Sequence, residues 1–377
     1  MPSSAPTPFD HHMMGIALRM ARRGLGQTAP NPAVGAVIAD ETTGEVIARG
    51  WTQPSGRPHA EPVAIARAGE RARGKTMYVT LEPCSHHGRT PPCSDAVLAA
   101  GITRVVAALE DPDPRVSGRG LDQLRAAGVA VTRGVRAAEA HWLTRGHIVR
   151  VTERRPFVQL KIAVGADGAV PRGTGSAPVF VTGAEARAQG HLMRAEADAI
   201  LVGHGTVSAD DPDLTCRLPG LGARSPRRIV LAGNPQGLVG SRLVASVARV
   251  PVQLFTAERA AHELPGAVAE LRALGVDCRT ARLVGGRIWL PAVLEALAED
   301  GVTRLLVEGG PSIWRAFAQH GLYDEVVLFH AGGADCGEKF GDVAAREVLM
   351  RVAGIADLDL AQRRRIGSDD MLVFRQR

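Results

Sequence analysis

The sequence predicts an α/β fold divided into two domains, and three observations carry that prediction. Apolar strands alternate with helices of roughly a dozen residues through both halves, the pattern of sheets with helices packed on them. The length, 377 residues, exceeds what one core ordinarily serves. Between the halves an arginine-rich passage, His141–Arg155, runs into Arg154-Arg155-Pro156 and marks a boundary. We therefore expect domains at 1–150 and 151–377.

Taken in order, the first residues, MPSSAPTPFD, carry neither a basic start nor an apolar core, so they do not read as a secretory signal. They read as a tail ending at an N-cap, Asp10. Residues 10–26 set Met, Ile, Leu and Ala against Arg at helical spacing and stop at Gly24 and Gly26. Val34–Ala39 and Val46–Gly50 flank a turn at Thr42–Gly44 and form a hairpin. A helix Glu61–Ala72 follows, with Pro62 in its first turn, where the missing amide has no partner to lose. Then come strand Met77–Leu81, helix Ser94–Ala100, strand Val105–Leu109, helix Leu121–Ala127 and strand Val129–Thr132. These elements describe a three-layer sandwich.

The rhythm restarts after the boundary with strands Phe157–Val164 and Val179–Thr182, helix Ala184–Ala195, and strands Ala199–Val202, Arg228–Leu231 and Gln253–Thr256. Helix Leu264–Leu274, strand Arg304–Glu308, helix Ser312–Gln319 and strand Glu325–Phe329 complete it. Asp-Pro-Asp occurs at 111–113 and again at 211–213, but nothing around the two copies matches. Shared turn chemistry, not a repeat, accounts for it.

Composition narrows the function. Hydrophobic residues make up 45% and mean hydropathy is near zero, as in an ordinary globular protein. No apolar run approaches the ~20 residues that span a bilayer, so no membrane partner is expected. Net charge is +6, yet no Lys/Arg run is interleaved with aromatics, which are only 4% of the chain. Nucleic acid is therefore not an expected partner, and scattered arginine suits small phosphorylated ligands. The five cysteines form no closely spaced even framework, which reads as reduced thiols in the cytoplasm.

Chemistry concentrates in His59-Ala60-Glu61 and Met77–Cys93, MYVTLEPCSHHGRTPPC. Together they hold an imidazole, two thiols and a carboxylate. A catalytic zinc ion takes three protein ligands and leaves its fourth position to water, whose pKa falls to about 7. Zinc deaminases add a glutamate that moves the proton, in the pattern H-x-E…P-C-x-x-C. His59, Cys84 and Cys93 would be the ligands and Glu61 the catalytic proton carrier. Eight residues separate the cysteines where that pattern has two.

The loop Cys84-Ser-His-His-Gly-Arg-Thr-Pro-Pro-Cys93 closely resembles the bifunctional deaminase–reductase family of riboflavin biosynthesis. Pro30-Asn31-Pro32-Ala33-Val34-Gly35 and Asp111-Pro-Asp-Pro-Arg-Val-Ser-Gly-Arg-Gly120 resemble its other deaminase markers. The resemblance implies a cytidine-deaminase-like first half fused to a dihydrofolate-reductase-like second half. It implies a pyrimidinone substrate bearing an amine and a ribose 5′-phosphate. Asn31 would meet a sugar hydroxyl or ring edge, although between two prolines it also reads as a turn residue. His86 and Arg89 would meet the phosphate or base. Asp113 stands where the family usually has Asn.

In the second half no G-x-G-x-x-G follows a strand, so a Rossmann fingerprint is absent. Instead, Leu305-Leu306-Val307-Glu308-Gly309-Gly310-Pro311-Ser312 is a strand, glycine loop and helix start. That arrangement can seat a phosphate or be a plain turn. With Leu201–Val207 and Ala209–Arg217 it resembles the family's reductase half, which implies NADPH. By position, Thr206, Asp210 and Gly310, Pro311, Ser312, Ile313, Trp314, Arg315 and Ala316 would hold the dinucleotide. Arg194, Leu214, Arg217 and Glu308 would hold the substrate, the arginines chiefly its phosphate. Lys161 lies in an apolar strand of a chain with only three lysines among 45 Lys+Arg. It reads equally as a site residue or as a snorkelling strand charge.

The sequence departs from the family at Ala177–Phe180, which lacks a serine and a tryptophan, and at Ala232-Gly233, which replaces Asp-Ser. Two rival functions stand beside the family reading. One is a zinc deaminase of another base with a degenerate second domain; the other is a zinc-stabilised nucleic-acid binder, which would not need Glu61. A homo-oligomer, dimer or higher, is expected.

Overall fold

A computed structural model describes residues 5–88, 91–171, 181–332 and 340–376. The chain divides into two compact units, Met1–Arg155 and Pro156–Arg377, each with its own sheet.

The N-terminal unit opens with helix α1, Pro8–Arg22, whose N-cap is Thr7 and not Asp10. The Asp10 amide donates to the Thr7 hydroxyl and the Thr7 amide donates to the Asp10 carboxylate, a capping box. Asp10 is also held by Arg104, whose Nη1 donates to Oδ1 at 2.8 Å. Strands β1 (Gly35–Ala39) and β2 (Val46–Trp51) form the expected antiparallel hairpin. Then follow α2 (Ala60–Ala68), β3 (Thr76–Val79), α3 (Cys93–Ala99), β4 (Arg104–Ala107), α4 (Arg119–Ala126), β5 (Ala130–Arg133) and α5 (Ala137–Glu153). Helix α2 stops four residues before its sequence pattern does, at Gly69, and Gly69–Ala72 continues as a 3-10 turn.

The sheet runs β2-β1-β3-β4-β5, with β3, β4 and β5 parallel. One face packs on α2, α3 and α4 through Ala64, Val97 and Leu124. The other packs on α1 and α5 through Met14, Ala17 and Ala140. This is the three-layer sandwich the alternation predicts. Gly50 lets α2 lie close on the sheet, because a Cβ there would come 2.3 Å from the Ala60 carbonyl. The first turn of α2, which carries Glu61, is fixed by that approach.

In the C-terminal unit the order is β6 (Phe157–Val164), α6 (Ala184–Ala195), β7 (Ala199–Gly203), α7 (His204–Asp210), β8 (Arg227–Ala232), α8 (Arg242–Ala245) and β9 (Val252–Ala257). Next come α9 (Glu258–Glu263), α10 (Pro265–Ala273), β10 (Asp277–Ala281), the short pair β11 (Leu283–Val284) and β12 (Arg287–Ile288), and α11 (Leu290–Glu299). The chain ends with β13 (Arg304–Val307), α12 (Pro311–Gln319), β14 (Glu325–His330), α13 (Asp342–Ala353), β15 (Leu358–Ile366) and β16 (Asp369–Gln376). The sheet order is β10-β9-β8-β7-β13-β6-β14-β16-β15, antiparallel only where β16 meets β14 and β15. Helices α11, α12 and α13 cover one face through Leu294, Phe317 and Leu349; α6, α8 and α10 cover the other through Met193, Leu243 and Leu271.

The expected strand Val179–Thr182 begins outside the described residues, and Val181 and Thr182 belong to no strand. Helices α7, α9, α11 and α13, strand β10 and the β15–β16 hairpin go beyond the sequence expectation.

Candidate active sites

His59 is the N-cap of α2 and Cys93 is the first residue of α3, so two positive helix ends meet here. Cys84 sits on the loop that leaves β3. The donor atoms of His59, Cys84 and Cys93 all lie within 4.8 Å of one another. His59 Nδ1 is 3.3 Å from Cys93 Sγ and 3.7 Å from Cys84 Sγ, and the Cys93 amide donates to Cys84 Sγ at 3.4 Å. Eight intervening residues do not keep the sulfurs apart.

The electrostatics divide the two thiols. A hydrogen bond from the Cys93 thiol, and a second from His59, pull the Cys84 thiol down to about 4. Cys93, holding the shared proton and buried, is pushed up. Its hydrogen bond with Cys84 raises His59. One nitrogen and two sulfurs form a donor set that fits zinc, and three donors leave a fourth position open. Glu61 lies in the same first turn, 3% exposed. Burial pushes its carboxyl up to about 7, against the pull of His59. A carboxyl poised there can take a proton and give it back at neutral pH.

A cavity of about 780 Å³ opens among residues flanking these donors, including Asn31, Arg57 and His86. Asn31 Nδ2 donates to the Gly56 carbonyl at 2.8 Å, so part of its amide is committed to the turn. Arg89 lies outside the described residues. Glu82, which the sequence reading passed over, holds one wall of the cavity. Its carboxylate, 3% exposed, accepts the amides of Asp111, Gly118, Gly120 and Leu121 at 2.9 to 3.2 Å. Gly120 has no room for a side chain: a Cβ would stand 2.0 Å from the Pro83 carbonyl. The signal was a carboxylate inside the apolar run that leads to Cys84.

In the C-terminal unit a cavity of about 650 Å³ is lined by Lys161, Arg194, Leu214, Arg217 and Glu308 together with Thr206, Asp210, Gly310 and Trp314. Arg194 grips Glu308, Nε to Oε1 and Nη2 to Oε2, both at 2.8 Å, and its Nη1 donates to the Thr215 carbonyl at 3.0 Å. Lys161 Nζ stands 3.5 Å from Glu308 Oε2. Burial would raise the Glu308 carboxyl, but Arg194 and Lys161 outweigh it and hold it at about 2. Gly309 and Gly310 lead into α12, whose N-terminus can receive a phosphate.

Pro311, Ser312, Ile313, Arg315 and Ala316, all expected at the dinucleotide, are not among the lining residues. Ile313 and Ala316 pack against the core, and Arg315 donates to the Arg351 carbonyl. Ala177–Phe180 lie outside the described residues. Ala232 is buried at the end of β8, and neither it nor Gly233 lines the cavity.

Residues 7–109 match the cytidine and deoxycytidylate deaminase zinc-binding region, and residues 156–359 match the RibD C-terminal domain. The riboflavin biosynthesis protein RibD of Aquifex aeolicus is 38% identical over 86% of this chain and 87% of its own length. That of Escherichia coli is 38% identical over 85% and 87%. The chain belongs to the RibD family. It is a bifunctional deaminase and reductase of riboflavin biosynthesis. Among solved structures, Acinetobacter baumannii RibD superposes with a TM-score of 0.81 at 31% identity, covering 97% of this chain and 98% of its own. A Thermotoga maritima diaminohydroxyphosphoribosylaminopyrimidine deaminase/5-amino-6-(5-phosphoribosylamino)uracil reductase gives 0.80 at 33%, covering 98% and 99%. With a reductase domain matched, the reading as a lone deaminase with a degenerate partner is not favoured. No helix among the described residues is long and apolar enough to cross a membrane.

Proposed function

We propose that the N-terminal half deaminates 2,5-diamino-6-ribosylamino-pyrimidinone 5′-phosphate with zinc, and that the C-terminal half reduces the ribosyl group to ribityl with NADPH. The convergence of His59, Cys84 and Cys93 beside a buried Glu61 carries the reading. Zinc held by those three residues would acidify a water molecule at neutral pH. Glu61 then carries the proton to the ring nitrogen and on to the departing ammonia. Asn31 and His86 face the substrate from the cavity wall, and Arg89 belongs to the same loop.

In the second half, Thr206, Asp210, Gly310 and the start of α12 would hold the dinucleotide, which supplies the hydride for the ribosyl C1. Trp314 lines the same cavity, while Ile313, Arg315 and Ala316 support α12 from behind. Leu214, Lys161 and Glu308 orient the sugar. Arg194 is committed to Glu308, so Arg217 is the arginine we assign to the substrate phosphate; no carboxylate pairs with it among the described residues. The free cysteines suit a reducing cytoplasm, and we expect a homo-oligomer, measurable by light scattering.

The test supplies zinc-loaded protein with the diaminopyrimidinone phosphate and follows ammonia, then NADPH absorbance. Stoichiometric ammonia followed by NADPH loss is expected. Ammonia from cytidine or guanine but not from this substrate overturns the assignment.

A further inference from the structure

Among the described residues, three arginines and two histidines line the 780 Å³ cavity of the N-terminal unit, and no carboxylate does. Arg57 and His86 flank the zinc donors in sequence; Arg115 and Arg119 come from the loop that Glu82 holds. An opening of this size with only cationic and neutral walls is built for a small anion, and its chemistry is that of a phosphate monoester.

Arg115 is the member whose orientation the structure fixes. Its Nε donates to Asp113 Oδ1 at 3.0 Å and to Oδ2 at 3.1 Å, and its Nη2 donates to Oδ2 at 2.5 Å. Asp113 is itself anchored: it is 6% exposed, its amide donates to Asp111 Oδ1 at 2.9 Å, and that same oxygen stands 2.9 Å from His147 Nε2. A guanidinium has five N–H donors in a planar fork. The carboxylate occupies the Nε/Nη2 edge and leaves the Nη1/Nη2 edge, two parallel donors, on a side chain that is 71% exposed. Nη1 has no partner among the described residues. An asparagine at 113 could not hold the fork by charge, so the Asp113–Arg115 pair acts as one device.

We propose that Arg115, positioned by Asp113, grips the ribosyl phosphate of the deaminase substrate and makes this half selective for the phosphorylated compound. The proposal rests on the deaminase reading above. It assigns the phosphate to the loop anchored by Glu82, where the sequence had pointed only to His86 and Arg89. Arg57 and Arg119 add charge to the same cavity, with Arg119 also donating to the Pro114 carbonyl.

The experiment compares wild type, Arg115→Ala and Arg115→Lys in zinc-loaded full-length protein, on the phosphorylated substrate and on its dephosphorylated form. Loss of a charge-assisted bidentate contact should raise KM for the phosphorylated substrate by about tenfold or more, with kcat little changed. KM for the dephosphorylated form should not move. Ribose 5-phosphate should inhibit wild type competitively and inhibit Arg115→Ala at least tenfold less. Arg115→Lys keeps the charge without the fork and should fall between the two; it also serves if Arg115→Ala fails to hold zinc. Equal KM changes on both substrates, or undiminished inhibition by ribose 5-phosphate, overturn the proposal. Failure of wild type to deaminate either substrate would instead remove the function on which it rests.

Discussion

Arg194 and Glu308 face each other edge to edge, with both N–O distances at 2.8 Å, in the wall of the 650 Å³ cavity. The pair is nearly closed off from water, at 14% and 11% side-chain exposure. Removing one partner of such a pair leaves a buried charge without compensation, which costs about 3–5 kcal/mol. Arg194→Ala should therefore lower the unfolding free energy of the C-terminal unit, read from denaturant titration, by an amount of that order. An effect confined to substrate KM, with stability intact, would return Arg194 to direct phosphate binding.

The same carboxylate sets a pH window. Glu308 sits at about 2 in the folded protein against 4.5 for the unfolded chain. A depressed folded-state pKa gives stability that is present above about 4.5 and is lost as pH falls toward about 2. A shift of this size corresponds to on the order of 3 kcal/mol. In urea titrations, Glu308→Gln should be much less stable than wild type at pH 6, and the gap should narrow by pH 3. A gap independent of pH would mean that packing, not charge, explains the difference.

The sequence singled out His59, Cys84 and Cys93, which the fold brings within 4.8 Å of one another, because a metal-binding set needs particular residue types, and those stand out against any background. The alternation of β3 with its helices was equally plain, since parallel strands buried on both faces are apolar runs. What stayed hidden depends on distance in three dimensions. The Arg194–Glu308 contact joins residues 114 positions apart, and nothing in either neighbourhood announces it. The α1 cap was misplaced for a simpler reason: Thr7 and Asp10 are both capping residues, and only the reciprocal hydrogen bonds show which one ends the helix. Helix α11 goes beyond the sequence expectation although its signal is there: buried Leu290, Val293, Leu294 and Leu297 follow helical spacing.

Gly120 tests how much the deaminase depends on the loop that Glu82 cradles. A methyl group there would collide with the Pro83 carbonyl, one residue before Cys84. Gly120→Ala should displace the loop, weaken substrate binding and lower deamination at least tenfold, while zinc content stays near one per chain. Full activity in this variant would show that the loop shifts without consequence for the site.

Glu61→Gln separates proton transfer from metal binding. The donor set His59, Cys84 and Cys93 is intact in this variant, so zinc should remain bound. Deamination should fall by about 10²–10⁴-fold, the range that a positioned proton carrier contributes. Zinc lost along with activity would make Glu61 a ligand.

Chelation tests whether the two chemistries are separable in one chain. The zinc donors all belong to the unit ending at Arg155, and the residues of the 650 Å³ cavity all belong to the unit beginning at Pro156. Each unit carries its own sheet and core, and the donors His59, Cys84 and Cys93 belong to neither the sheet nor the core of the second. Treating the full-length protein with a chelator should abolish ammonia release from the diaminopyrimidinone phosphate. NADPH oxidation with the already deaminated pyrimidine should continue at its original rate, and added zinc should restore ammonia release alone. If both activities vanish and return together, the reductase depends on the metal site. If NADPH is never consumed, even with deamination intact, the cavity around Lys161 and Glu308 does not perform the reduction assigned to it.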